Sequence, residues 1–330
     1  MRIEASAPGR CGVVGNPTDG YGGCVISCSL QERARVTLRT PADALSLNVS
    51  GETTVLRDRA DYHLREDYFD CVRAVLSFLR RFDLKFHMDV TTEIPFNAGL
   101  AGSTAVLVSV LSAVLKLLGR DHHKHYLAEM LRVIELHYLK IQCGYQDQYM
   151  TVFGGINYLD FRGKEHYRTI DEELYATVEP LRDFVTELPF VVVHTGKKRV
   201  SGAILRPIRE RWEDGDREVV RGYERIARIC QRGKRALIDR DWRALARLMN
   251  ENHRIQQRLG ASGEENDRLI NVAMRNGALA AKLAGAGGGG TIIALSFEPE
   301  RMLEALKAEG AARIIHPVPS TGVTCEIVEE

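Results

Sequence analysis

The chain has 330 residues, 45% apolar and 27% charged, and its 45 basic and 44 acidic side chains leave a formal charge of +1. That balance gives no reason to expect a nucleic-acid or membrane-surface partner, while a small localised anion site needs only a few residues. No apolar run approaches the length of a membrane span, and Met1-Arg2-Ile3-Glu4-Ala5-Ser6 reads as mature structure without a leader.

The length predicts two domains, and the apolar content is enough to give each its own core. Residues 33–40 alternate as a strand does. Val72, Val75, Leu76 and Leu79 have helical spacing and predict a helix over residues 68–82. Residues 84–92 read as a further strand. Residues 103–118 are apolar on nearly every face, which predicts a buried helix stopped by Gly119. An amphipathic helix is expected over 122–140, and an apolar strand over 152–156.

A boundary falls near residue 186, dividing the chain into 1–186 and 187–330. The second part opens on the buried strand Phe190-Val191-Val192-Val193. Charged helices follow over 216–234, 241–258 and 264–276, then short strands over 278–283 and 291–295, a helix over 299–308 and a last strand over 323–328. That order suits a split β-α-β sandwich. The seven cysteines form no zinc pattern and read as small buried residues in a reducing cytosol. The run His122-His123-Lys124-His125 reads as solvated surface.

Three segments carry chemistry. Pro95-Phe96-Asn97-Ala98-Gly99-Leu100-Ala101-Gly102-Ser103-Thr104-Ala105 feeds small residues into the buried helix. A helix N-terminus has unsatisfied N–H groups and a positive dipole end, and small residues let a phosphate approach it. A hydroxyl there can ligate Mg²⁺; a plain turn with Ser103 as N-cap is equally compatible. Lys282-Leu283-Ala284-Gly285-Ala286-Gly287-Gly288-Gly289-Gly290-Thr291 contains a GxGxxG match. The strand expected after it argues against a dinucleotide fold. So many glycines are offset by close packing against a ligand or another backbone. Cys143-Gly144-Tyr145-Gln146-Asp147 places an acid after a glycine turn, which fits a general base or an ordinary turn residue. GxxxxGK[ST] and the protein-kinase motifs are absent.

In this order the segments resemble the GHMP kinases. Ala7-Pro8-Gly9-Arg10 with Gly15-Asn16-Pro17-Thr18-Asp19-Gly20-Tyr21-Gly22-Gly23 is similar to the family's N-terminal motif, residues 95–104 to its ATP loop and 282–290 to its glycine-rich C-terminal motif. Ala101 and Gly102 replace the usual Gly and first Ser, and Thr104 replaces an Ala. The resemblance implies an α+β, two-domain GHMP kinase fold, with a ribosomal S5 domain 2-like N-terminal domain and a ferredoxin-like C-terminal domain. It implies ATP and Mg²⁺ as cofactors. Pro95, Asn97, Ala98, Gly99, Leu100, Ala101, Gly102, Ser103 and Thr104 would hold the nucleotide, and Ser103 and Glu135 the metal. Asp147 would act as acid-base and Arg10 would stabilise charge; Asn16, Asp19, Tyr21, Gly287 and Gly288 would meet the substrate.

Within the family, Gly-Asn-Pro-Thr-Asp-Gly-Tyr, the stretch Met249-Asn250-Glu251-Asn252-His253 with Arg258-Leu259-Gly260, and Ser201 with Arg211-Trp212 are similar to glucuronokinases. The implied reaction makes glucuronate 1-phosphate from a small sugar acid in the cytoplasm. His194-Thr195-Gly196-Lys197-Lys198-Arg199 resembles heptose 7-phosphate kinases instead, and a galactose-like acceptor also stays open. The mevalonate branch fits least. Outside the kinases, a non-catalytic sugar and ATP sensor on the same scaffold and a dinucleotide-dependent oxidoreductase are the rival readings.

Overall fold

The computed structural model describes residues 1–95, 97–164, 174–185, 188–196, 201–287 and 290–329, with the side chains of residues 201–204 outside that description. The chain opens on two long antiparallel strands, β1 (Arg2–Val14) and β2 (Cys24–Arg39). Pro8, Gly9 and Gly12 interrupt the alternation of β1, which hides it in the sequence. The register shifts at Pro8/Arg10 and Gly12/Val14, where such residues are tolerated.

The hairpin β3 (Leu45–Val49) and β4 (Glu52–Leu56), helix α1 (Asp70–Leu79) and strand β5 (His87–Thr92) follow. Helix α2 (Gly102–Leu117) is buried nearly all round against β1 and β2. Each fully buried Leu or Val there is worth roughly 1.5–3 kcal/mol. Helix α3 (Lys124–Val133) continues into a π-helical turn, Ile134–Tyr138, so the single helix expected over 122–140 is interrupted.

The strand expected over 152–156 is corrected. Val152 and Phe153 end helix α4 (Gln146–Phe153), and the strand, β6, runs over Ile156–Asp160. A short apolar run does not distinguish a buried helical turn from a strand. Strands β7 (Thr177–Pro180) and β8 (Phe190–His194) come next. They are followed by helices α5 (Ser201–Glu213), α6 (Arg217–Ile238), α7 (Trp242–Arg258) and α8 (Glu264–Arg275). Strands β9 (Ala280–Leu283) and β10 (Thr291–Leu295), helix α9 (Glu300–Ala308) and strands β11 (Arg313–Ile315) and β12 (Thr324–Glu329) complete the chain.

The first sheet runs β12-β1-β2-β5-β3-β4, with β6 on the other half of β2 and β7 beyond it. The second is β11-β8-β10-β9, antiparallel throughout and backed by α8 and α9 through Leu269, Ile270, Ala273, Met302 and Leu306. The last strand therefore departs from its expected place. It leaves the second sheet and pairs with β1, while the unforeseen three-residue β11 takes the edge beside β8.

Candidate active site

Arg10 sits on β1, 4% exposed, where the strand passes both glycine loops. Its Nε donates to Asp147 Oδ1 at 2.8 Å, its Nη2 to the same oxygen at 2.5 Å, and its Nη1 to the Gly99 carbonyl at 2.6 Å. One buried guanidinium thus ties the acid at the start of α4 to the loop before α2. Its fork geometry allows this, where a lysine could serve only one partner well. The Asp147 side chain keeps 32% exposure, so it remains open to an acceptor.

The two glycine loops meet across β1. The Arg10 N–H donates to the Leu100 carbonyl at 3.0 Å, and the Gly12 N–H to the Ala284 carbonyl at 2.7 Å. A Cβ on Gly9 would lie 2.9 Å from the Leu100 oxygen, and one on Gly12 3.0 Å from the Ala284 oxygen, so neither position admits a side chain. The loops also touch each other directly: Thr291 Oγ1 donates to the Ala98 carbonyl at 2.6 Å. Gly287, at φ +119°, packs on the Ala261 carbonyl. Gly288, Phe96, Lys197, Lys198, Arg199 and the side chain of Ser201 lie outside the described residues.

Asn16 takes a place the sequence did not indicate. It is fully buried. Its Nδ2 donates to the Gly285 carbonyl at 2.5 Å, and its Oδ1 accepts from Lys282 Nζ at 2.7 Å. It faces the C-terminal loop and holds that loop to the N-terminal motif. Lys282 is itself fully buried, and burial pushes its amine down to about 7.

Ala101 adopts the left-handed conformation at the N-cap of α2, φ 60°, and no side chain of the N-cap residue bonds the first-turn N–H groups. Ser103 is exposed in that turn, whereas Thr104 is buried. Thr104 Oγ1 donates to Glu135 Oε1 at 2.5 Å, and Gln148 Nε2 donates to Glu135 Oε2. This explains the threonine in place of alanine: it holds the carboxylate that the π-helical turn projects inward, and such turns recur at functional sites. Burial is the largest influence on Glu135 and raises its pKa, with the Asp147 charge adding to it. A buried carboxylate of this kind favours a nearby cation. An exposed hydroxyl and one carboxylate are hard oxygen donors of the sort Mg²⁺ takes, with phosphate and water supplying the rest. No cluster of three or more His, Cys, Asp or Glu able to hold a metal by itself occurs among the described residues.

Asp19 lies in the short turn Thr18–Tyr21. Its Oδ2 accepts the Tyr145 and Gln146 N–H groups at 2.9 and 3.0 Å, capping α4 from another part of the chain. Gly144 is required there, because a Cβ would stand 2.0 Å from that oxygen. Burial pushes the Asp19 carboxyl up to about 6; Asp147 adds to the rise and Arg10 opposes it. Asp19, Asp147 and Arg10 therefore share one electrostatic neighbourhood. Tyr21 packs at a tilt against Tyr223, ring centroids 4.3 Å apart, and meets Trp212 edge-on at 5.2 Å. These rings form an aromatic wall beside the carboxylates.

The structure thus brings together Arg10, Asp19, Asp147, the loop of residues 97–104 and Glu135. Trp212 was singled out in the sequence only as part of a pattern, and Tyr223 and Arg209 were missed. Their signal is the packing of α5 and α6 on the Asp19 turn, which no local motif carries.

The GHMP kinases N terminal domain family matches residues 70–155, and the GHMP kinases C terminal family matches residues 234–312. Glucuronokinase 1 of Arabidopsis thaliana is 27% identical over 307 residues, covering 87% of this chain and 83% of its own length. The mevalonate kinase of Pyrococcus furiosus is also 27% identical, over 349 residues and 99% of both chains. The galactokinase of Lactococcus lactis, solved with galactose, superposes with a TM-score of 0.78 at 19% identity, over 98% of this chain and 95% of its own. No helix among the described residues is long and apolar enough to cross a membrane.

Proposed function

From a chain that belongs to the GHMP kinase family and is an ATP-dependent kinase, we propose a sugar-acid 1-kinase that carries the γ-phosphoryl group of ATP to the anomeric hydroxyl of glucuronate. The observation that carries this reading is the Arg10 bridge between Asp147 and the Gly99 carbonyl. It places an open carboxylate at a fixed distance from the loop that would cradle the phosphates.

Residues 1–186 form the ATP-binding unit in this reading, and 187–330 the C-terminal unit whose last strand returns to the first sheet. The N–H groups opening α2, with the small residues 98–102, receive the phosphates. Asp147 takes the proton of the attacking hydroxyl as its oxygen bonds to the γ-phosphorus and the bond to the β-bridging oxygen breaks, releasing ADP. Arg10 offsets the charge that develops on the transferring group. Asp19 accepts from a sugar hydroxyl against the wall of Tyr21, Trp212 and Tyr223. Ser103 and Glu135 would hold Mg²⁺, which when bound neutralises charge on the β- and γ-phosphates. Transfer of this kind depends mainly on positioning and electrostatics, so these few side chains suffice.

Glucuronate is favoured by the form of residues 15–23 and by the likeness to a glucuronokinase. Mevalonate is a second reading, because an archaeal mevalonate kinase matches at equal identity over a larger share of the chain. The sequence had set that branch last. The test is ADP release from ATP and Mg²⁺ with glucuronate, galacturonate, glucose, galactose, a heptose 7-phosphate and mevalonate. Turnover highest with glucuronate is expected. Turnover confined to mevalonate would replace the substrate, and ATP binding without turnover on any acceptor would favour the sensor.

A further inference from the structure

Arg209 and Trp212 stand three residues apart on α5 and so share a face, the face that meets Tyr21. Arg209 Nε donates to Glu213 Oε1 at 2.8 Å, one turn along the same helix. Its Nη2 is closed off from solvent and makes no hydrogen bond. A guanidinium nitrogen in that state is costly, since it has lost water and gained no acceptor. The positive charge acts on the Tyr21 hydroxyl and opposes the rise that burial gives it, whereas Asp19 and Glu213 act in the other direction. Arg209 is therefore within electrostatic reach of the acceptor wall, and one of its donors is unused.

We infer that Arg209 is the specificity-determining residue that receives the acceptor's carboxylate, its partly exposed guanidinium turning to present the Nη2 that has no partner in the protein. This rests on the proposed reading of the acceptor as a carboxylic acid and identifies what recognises the acid. A guanidinium is suited to a planar carboxylate. Among the described residues the surroundings favour a monoanion over a phosphate dianion. Glu213 already offsets much of the Arg209 charge, and the Asp19 carboxylate lies on the same turn as Tyr21. Glucuronate and mevalonate both carry one carboxylate, so this subsite serves either, and the acceptor arms of the test separate them.

The experiment compares wild type, Arg209→Gln and Arg209→Lys on glucuronate, its neutral amide glucuronamide, and mevalonate, with melting temperature and ATP binding as checks on folding. Wild type is expected to prefer the acid to the amide. Arg209→Gln raises KM for the acid by roughly 10- to 100-fold and leaves KM for the amide and kcat within a few-fold. Arg209→Lys recovers part of the loss. An acid-to-amide ratio in Arg209→Gln equal to that of wild type would remove Arg209 from recognition while leaving the acid kinase standing. A wild type that phosphorylates only neutral sugars would overturn both. If mevalonate is the acid turned over and Arg209→Gln loses it, the carboxylate subsite stands and only the glucuronate assignment falls.

Discussion

The two walls of the candidate site are built in opposite ways. The proposed reaction centre is a buried cross-link: Arg10 from β1 holds Asp147 of α4 and the Gly99 carbonyl, and Asp19 caps α4 from a separate turn. Every member is fixed by a partner far away in the sequence. The acceptor wall is aromatic, half open, and contributed by α5 and α6, with an arginine nitrogen still lacking an acceptor. On the proposed reading, the difference teaches that chemistry is invested in motifs and discrimination in the helices outside them. A family can then keep one wall and vary the other.

That contrast can be broken by variants that should act on one wall alone. The largest effect belongs to Asp147→Asn. It should lower kcat roughly 100- to 10,000-fold on every acceptor with ATP binding retained; initial rates and nucleotide titration read the two separately. Turnover within a few-fold of wild type would take Asp147 out of the proton transfer. Glu135→Gln comes next. Loss of its charge should raise the Mg²⁺ concentration needed for half-maximal rate by roughly 10- to 100-fold without altering the ranking of acceptors, as a Mg²⁺ titration would show.

Trp212→Ala belongs to the other wall. It should raise acceptor KM by about tenfold, the equivalent of losing one aromatic contact with its buried area, and leave kcat and the Mg²⁺ requirement alone. A fall in kcat instead would merge the two walls into one functional unit.

The smallest effect is on stability and concerns Asp19. Its pKa in the fold, about 6, is above its ordinary value. Between about pH 4 and pH 6 the folded state therefore binds more protons than the unfolded one, and stability falls as pH rises through that window. Asp19→Asn removes the penalty while its amide oxygen can still accept the two N–H groups. It should be more stable than wild type above pH 6, on the order of 2 kcal/mol, and converge with it near pH 4. Melting curves across that range decide this. The wild-type rate should fall as pH drops below about 6, where Asp19 becomes protonated.

Legibility in the sequence follows the same division. The loops at residues 95–104 and 282–291 and the pair Arg10 and Asp147 could be found because each lies in a contiguous motif. Thr104 could not be explained, because its partner Glu135 is presented by a π-helical turn thirty-one residues away. Asn16 was expected to meet the substrate because the segment around it resembles the family's N-terminal motif; only the folded chain shows Lys282 and Gly285 on it. Helix α4 was hidden by its brevity, β1 by its one proline and two glycines, and the placement of β12 by the absence of any local signal for which sheet a strand joins. Arg209 carries no motif at all and is visible only through its unused donor.

The central claim is tested most directly by the product. Wild-type enzyme with ATP, Mg²⁺ and glucuronate should yield one sugar phosphate whose phosphorus couples to the anomeric proton in ³¹P and ¹H NMR. Phosphate on another carbon, or no sugar phosphate while mevalonate is consumed, would contradict it.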